Sequence, residues 1–250
     1  MPEGGFHCAL DWSIEGSRMG RGTRGRNDMV MQAARTLKIG TIIDKTLGVI
    51  EHSVTPSVIY VLALGVINSA VGYFTVDLTA PLQLLAVGLL KFAIGIISAY
   101  LLLDSMLRKT GLRERGSEDV LFAYVALSVV YALGVIVGFI CVVIPGLIFM
   151  ARWSIAQPTL VARGGGVMKA MGESWEQTRG NEVSIIAAAL GLLVVPIAVV
   201  ITCSIVFEKA NLGGIIVTEF VTSAMNVLSL GMGVALYGLI AGNRGTSAPN

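Results

Sequence analysis

The chain has 250 residues, of which 54% are hydrophobic and only 14% are charged, and its mean hydropathy is +0.78. Soluble domains carry about 25% charged residues, so this composition, gathered into several long apolar runs, excludes water as the solvent of most of the chain. The formal net charge of +2 is small and gives no reason to expect a nucleic-acid partner.

Residues 1–28 form a polar segment in which arginines alternate with glycines. The segment has no apolar core long enough for a secretory signal peptide. It also lacks the apolar surface needed to fold alone, so we predict disorder, with arginines that could bind anionic lipid headgroups. An alternative is that translation begins at Met29 or Met31. Residues 29–250 are predicted to form a single membrane domain.

Residues 36–51 predict an amphipathic helix ahead of the first long apolar run. The apolar positions that share one helical face are Ile39, Ile42, Ile43, Leu47 and Ile50. The segment carries too many charges to span a bilayer, so it is predicted to lie in the membrane interface. The alternative is a solvated helix that packs on the membrane bundle.

Six apolar segments follow, and each is predicted to cross the bilayer as a helix. In chain order they are residues 56–75, 82–107, 120–143, 147–161, 183–207 and 215–241. Pro145-Gly146 predicts a tight turn between the third and fourth segments. Residues 164–181 predict a second interfacial helix, with Val167, Met168, Met171 and Trp175 at helical spacing. The predicted fold class is therefore all-α: a polytopic membrane helical bundle with six transmembrane and two interfacial amphipathic helices.

Basic residues collect on one side of this predicted topology. That side holds Arg35, Lys38, Lys45, Arg108, Lys109, Arg113, Arg115, Arg163, Lys169, Arg179 and Arg244. The other side holds only Lys209. Because basic loops stay in the cytoplasm, both termini are predicted to be cytoplasmic.

Four polar residues inside the apolar segments are candidates for an intramembrane site: Lys91, Arg152, Gln157 and Glu219. A charge at the centre of a membrane helix costs about 2.5–3.5 kcal/mol on insertion scales, so such residues are functional candidates by default. Arg152 and Glu219 are predicted to lie within about 10 Å of the same boundary, where they could pair. One interpretation is a polar cavity for an anionic headgroup or another solute. The other is an ion-pair network that fixes helix packing.

Residues suited to metal binding or catalysis are few and scattered. Cys141 and Cys203 lie inside apolar runs, Cys8 lies in the polar segment, and His7 and His52 are far apart in the sequence. We therefore expect no metal site, cofactor or disulfide framework. The apolar segments carry no zinc-protease motif, Ser/His pair or paired-aspartate motif, so the chain is predicted not to be an enzyme.

Several motifs, in order, resemble a known membrane family. They are L-K-I-G-T-I-I-D-K-T-L-G-V-I-E from Leu37, I-P-G-L-I-F-M-A-R-W from Ile144, P-T-L-V-A-R from Pro158 and E-S-W-E-Q-T-R-G-N from Glu173. They resemble the membrane domain joined to some bacterial glycerophosphodiester phosphodiesterases, and a related, uncharacterised family of bacterial inner-membrane proteins. The resemblance implies a six-span helical domain with interfacial helices. It does not imply phosphodiesterase activity, which resides in a separate soluble barrel whose metal ligands and histidines have no counterpart here.

These observations favour a non-enzymatic integral protein of the bacterial inner membrane. Its expected role is structural or accessory, organising lipid or a membrane complex. The expected partners are membrane lipids, other membrane proteins or a second copy of the chain. The alternative is a transporter or binder of a lipid or small amphiphile that uses the polar intramembrane residues.

Overall fold

A computed structural model describes residues 37–114, 120–141, 143–207 and 212–245. The segment of residues 1–28, predicted to be disordered, and the alternative start sites lie outside the described residues. Within the described ranges the chain is helical and contains no strand. From Lys38 onward it forms one unit.

The described residues form five long apolar helices and four shorter ones. In chain order they are α1 Ile39–His52, α2 Val54–Thr75, α3 Pro81–Lys109, α4 Leu121–Cys141, α5 Val143–Arg152, α6 Ala156–Arg163, α7 Val167–Gln177, α8 Glu182–Val206 and α9 Leu212–Gly245. By length and composition, α2, α3, α4, α8 and α9 are able to cross a membrane. The five predicted segments that correspond to them are confirmed as long apolar helices.

The last helix, α9, is the centre of the bundle. Seven consecutive residues from Gly231 to Tyr237 are buried, so this part of α9 is covered on every side. It packs against α1, α2, α3, α6 and α8. Glycine makes the approach close: a Cβ added at Gly65 of α2 would lie 2.8 Å from the Phe220 ring. Small residues thus allow the helix axes to come close together. Close packing matters because the hydrophobic effect does little to drive helices together when lipid is the solvent.

The predicted turn at Pro145-Gly146 is wrong, because both residues lie inside a helix. Helix α4 ends at Cys141 and α5 begins at Val143. A proline fits the first turn of a helix because the N–H that it lacks would have no partner there. Gly146 faces Gly138 of α4, and a Cβ at Gly138 would lie 3.0 Å from the Gly146 Cα. The I-P-G motif therefore permits close packing of two successive helices.

The predicted fourth span is also wrong in form, because residues 147–161 are not one helix. Helix α5 ends at Arg152 and α6 begins at Ala156. Pro158 has no N–H for the carbonyl of Ser154 and would clash with it in a continuous helix, which accounts for the break. The carbonyl of Arg152 accepts hydrogen bonds from the hydroxyls of Ser174 (2.6 Å) and Thr178 (3.1 Å). Residues in and just after α7 therefore satisfy a group that the break leaves without a helical partner.

Helix α1 packs on the bundle rather than standing apart from it. It buries Ile42, Thr46 and Val49 against neighbours that include α9 and α8. Thr46 is tolerated there because its hydroxyl donates to the Ile42 carbonyl at 2.7 Å. Ile39 and Leu47, two residues of the predicted apolar face, remain exposed. The face that packs on the bundle is therefore not the predicted apolar face, and two large apolar side chains point away from the bundle.

In α7, too, the buried residues differ from the predicted apolar face. It buries Ala170, Met171 and Ser174, whereas Met168, predicted to belong to the apolar face, is 80% exposed. Of the predicted apolar face, Met171 alone is buried, so most of that face stays at least partly exposed.

Candidate intramembrane site

An ion pair links α3 to α9. The ammonium of Lys91 in α3 donates to the Glu219 carboxylate in α9 at 2.7 Å, and the two side chains are 31% and 20% exposed. Lys91 follows the start of α3 by about 15 Å and Glu219 follows the start of α9 by about 10 Å, at 1.5 Å per residue. Two charges that the sequence placed in separate apolar segments therefore neutralise each other.

Arg152 does not pair with Glu219, so that part of the sequence-based hypothesis is wrong. Its guanidinium lies 2.5 Å from the Glu182 carboxylate at the start of α8. It also donates to the Trp175 carbonyl at 2.9 Å and lies over the Trp175 ring at 4.9 Å. The depth prediction assumed a straight helix from a turn at Pro145, and neither assumption holds. Arg152 belongs to a packing cluster that ties α5 to α7 and α8.

A cavity of about 930 Å³ lies between α2, α3, α4, α5, α6, α8 and α9. Ligand pockets span roughly 300–1,000 Å³, so its size is ample for a small molecule or part of a lipid. Lys91, Gln157 and Glu219 line it, and Arg152 does not. The structure therefore brings three of the four predicted site residues together around one space.

Helices α2 and α9 contribute five of the neutral polar residues that line the cavity. Tyr60 and Asn68 come from α2, and Thr222, Asn226 and Ser229 come from α9. The side-chain amide oxygen of Asn68, Oδ1, is buried without a hydrogen-bond partner. Sequence reasoning missed these residues because neutral polar side chains are ordinary in membrane helices. The signal was their spacing, which is eight residues in α2 and three, four or seven in α9 and places the residues of each helix on one face.

The part of the lining that α8 contributes is apolar. It runs from Ile185 to Ile197, twelve residues apart in the chain, or about 18 Å along the helix. Phe92 of α3 and Leu190 of α8 also line the cavity, yet they are 45% and 56% exposed. The cavity is therefore elongated and amphipathic, and it reaches the outer surface of the bundle near these two residues.

The side chains that line the cavity are suited to binding a ligand. The cavity combines one ion pair, several neutral hydrogen-bonding groups and a long apolar wall. Among the residues that the structure describes, no group of three or more His, Cys, Asp or Glu side chains is placed to hold a metal ion.

No protein-family model, no curated protein and no solved structure matches this chain. The resemblance to the membrane domain of glycerophosphodiester phosphodiesterases therefore stays a hypothesis that rests on the motifs. One of those motifs, the I-P-G at Ile144, lies within a helix here.

Proposed function

We propose that this chain is a non-enzymatic accessory protein of the bacterial inner membrane that holds a lipid or small amphiphile between its helices. The observation that carries the proposal is the amphipathic cavity of about 930 Å³, whose lining includes Lys91, Glu219 and an apolar stretch of α8. Of the two functions considered from the sequence, binding an amphiphile explains the cavity, whereas a purely structural role leaves it without a purpose.

We further propose six membrane crossings, the fourth made by α5 and α6 together. Glu114 precedes α4, and its backbone N–H donates to the Ala162 carbonyl at the end of α6, at 3.0 Å. Arg163 also donates to the Glu114 carboxylate at 2.8 Å. The chain that leaves α6 thus lies beside the chain that enters α4, as a return across the membrane requires.

This topology puts the basic segments on one side, which the charge rule assigns to the cytoplasm. Helices α1 and α7 would lie at that surface, where exposed Ile39, Leu47 and Met168 could enter the headgroup region. Membrane lipids are therefore the proposed partners.

The proposal is tested by filling the cavity. Ala189 of α8 lines the cavity, whereas Ala198 of the same helix is exposed and does not. Protein purified in mild detergent is expected to retain an amphiphile detectable by native mass spectrometry. Ala189→Phe is expected to lower its occupancy several-fold, and Ala198→Phe is expected to leave it unchanged. A wild-type protein without a bound amphiphile, or equal occupancy in both variants, would contradict the proposal.

A further inference from the structure

We infer that the polar end of the ligand is a zwitterion, with an anionic group for Lys91 and an ammonium group for Glu219. The inference rests on the proposed function, since it names the chemistry of the amphiphile that the cavity holds. A phosphate joined to a primary ammonium is the headgroup chemistry that fits.

The ion pair leaves binding capacity on both partners. An ammonium has three N–H donors, and one N–H of Lys91 is directed to a single oxygen of Glu219, at 2.7 Å. The carboxylate has a second oxygen, and both side chains line the same cavity. A cationic donor and an anionic acceptor thus stand next to each other where a ligand can reach them.

The pairing selects among headgroups. An anionic headgroup that binds Lys91 meets the like charge of Glu219, and a cationic headgroup that binds Glu219 meets Lys91. A neutral headgroup leaves the pair intact and gains no charged contact. A zwitterion alone supplies an opposite charge to each partner, so neither is left uncompensated in a poorly solvated space.

A third group lies at the same level. Gly72 of α2 lies near Ile215 of α9, and Gly65 lies against Phe220, so the two helices run antiparallel. That register places Asn68 at the level of Glu219 along the helices. Asn68 also lines the cavity, so its amide adds a neutral polar group near the ion pair.

The experiment measures how tightly the purified, delipidated full-length protein binds four single-chain probes whose hydrocarbon chains have the same length. The probes are a lysophosphatidylethanolamine, a lysophosphatidylglycerol, a monoacylglycerol and an alkylammonium. We expect the zwitterionic probe to bind about tenfold more tightly than the others, the ratio that one charge-assisted hydrogen bond supports. Free phosphoethanolamine is a fifth probe: weak binding assigns the ligand to a lipid, and binding equal to that of the lysolipid assigns it to a free zwitterion.

Matched variants separate the headgroup from the chain. Lys91→Met combined with Glu219→Gln removes both charges together and is expected to bind the four chain-bearing probes within about threefold of one another. Lys169→Met combined with Glu176→Gln changes two exposed residues of α7 and is expected to keep the preference. Equal binding of all four probes by the wild-type protein overturns the zwitterion and leaves the amphiphile site standing. Absence of binding by every probe overturns both, and a preference that survives the Lys91/Glu219 double variant overturns the role of the pair.

Discussion

At the scale of single residues, Arg152 shows how a charge inside an apolar segment is made stable. Its guanidinium bonds to the Glu182 carboxylate and the Trp175 carbonyl and lies over the Trp175 ring. Its side chain is only 14% exposed and that of Glu182 is 21% exposed. Each charge therefore depends on the other, because loss of one leaves the other poorly solvated.

We therefore expect Arg152→Met to lower the free energy of unfolding by about 2–3 kcal/mol, somewhat less than for a fully buried pair. Combining it with Glu182→Gln is expected to lose less than the sum of the two single changes, since the uncompensated carboxylate is gone. Unfolding in mixed detergent micelles, followed by circular dichroism, measures these differences.

The control for this cycle is Arg108, whose side chain is 64% exposed while it pairs with Asp104. Arg108→Met is expected to change the free energy of unfolding by less than about 0.5 kcal/mol, because the Arg108 side chain is solvated and the Asp104 carboxylate keeps a second partner, Arg113. Additive effects of Arg152→Met and Glu182→Gln, or an Arg152→Met loss no larger than that of Arg108→Met, would show that the buried pair is not coupled.

At the scale of helices, the contact between α4 and α5 depends on the absence of a side chain. A Cβ at Gly138 would lie 2.9 Å from the Phe149 ring and 3.0 Å from the Gly146 Cα, and a backbone atom has little freedom to move away. Gly138→Ala is expected to lower the free energy of unfolding by about 1–3 kcal/mol through overpacking. Gly88→Ala in α3 meets no atom within 4 Å and is expected to stabilise by up to about 1 kcal/mol.

The opposite signs of these two alanine substitutions are the decisive comparison, and thermal unfolding in one detergent provides it. Equal shifts in melting temperature would mean that helix propensity, rather than the approach of α4 to α5, governs both positions.

Sequence predicted the long helices well because the signal is additive: some twenty apolar residues in a row are sufficient without knowledge of neighbours. The sequence-based prediction failed between residues 143 and 163, where the helix boundaries depend on the position of each proline relative to the start of a helix. Pro145 fits a turn between helices and also the first turn of a helix, and the structure has the second. Pro158 likewise lies in the first turn of α6, after the break. Local reasoning did not settle which role each proline takes.

The candidate site was predictable in part for a different reason. Lys91, Gln157 and Glu219 stand out because polar residues are rare in apolar segments, and the structure brings them to one cavity. Their partners were not predictable, since pairing depends on which helices are adjacent and how each is rotated. Depth alone suggested that Arg152 meets Glu219, whereas the packing of α8 against α5 supplies Glu182 instead.

At the scale of the whole molecule, the broken pair α5–α6 decides whether the chain crosses the membrane five or six times. Single cysteines placed at exposed Asp77, Lys109 and Lys169, in a chain whose native cysteines are replaced, report the side of each loop to an impermeant maleimide. We expect Asp77→Cys to be labelled from the periplasm, and Lys109→Cys and Lys169→Cys to react only after permeabilisation. Labelling of Lys169→Cys from outside would mean that α5 and α6 return to the periplasmic side. That result would be incompatible with the contact of Arg163 with Glu114, which requires the end of α6 and the start of α4 to lie on the same side of the membrane. The six-span topology would then be wrong.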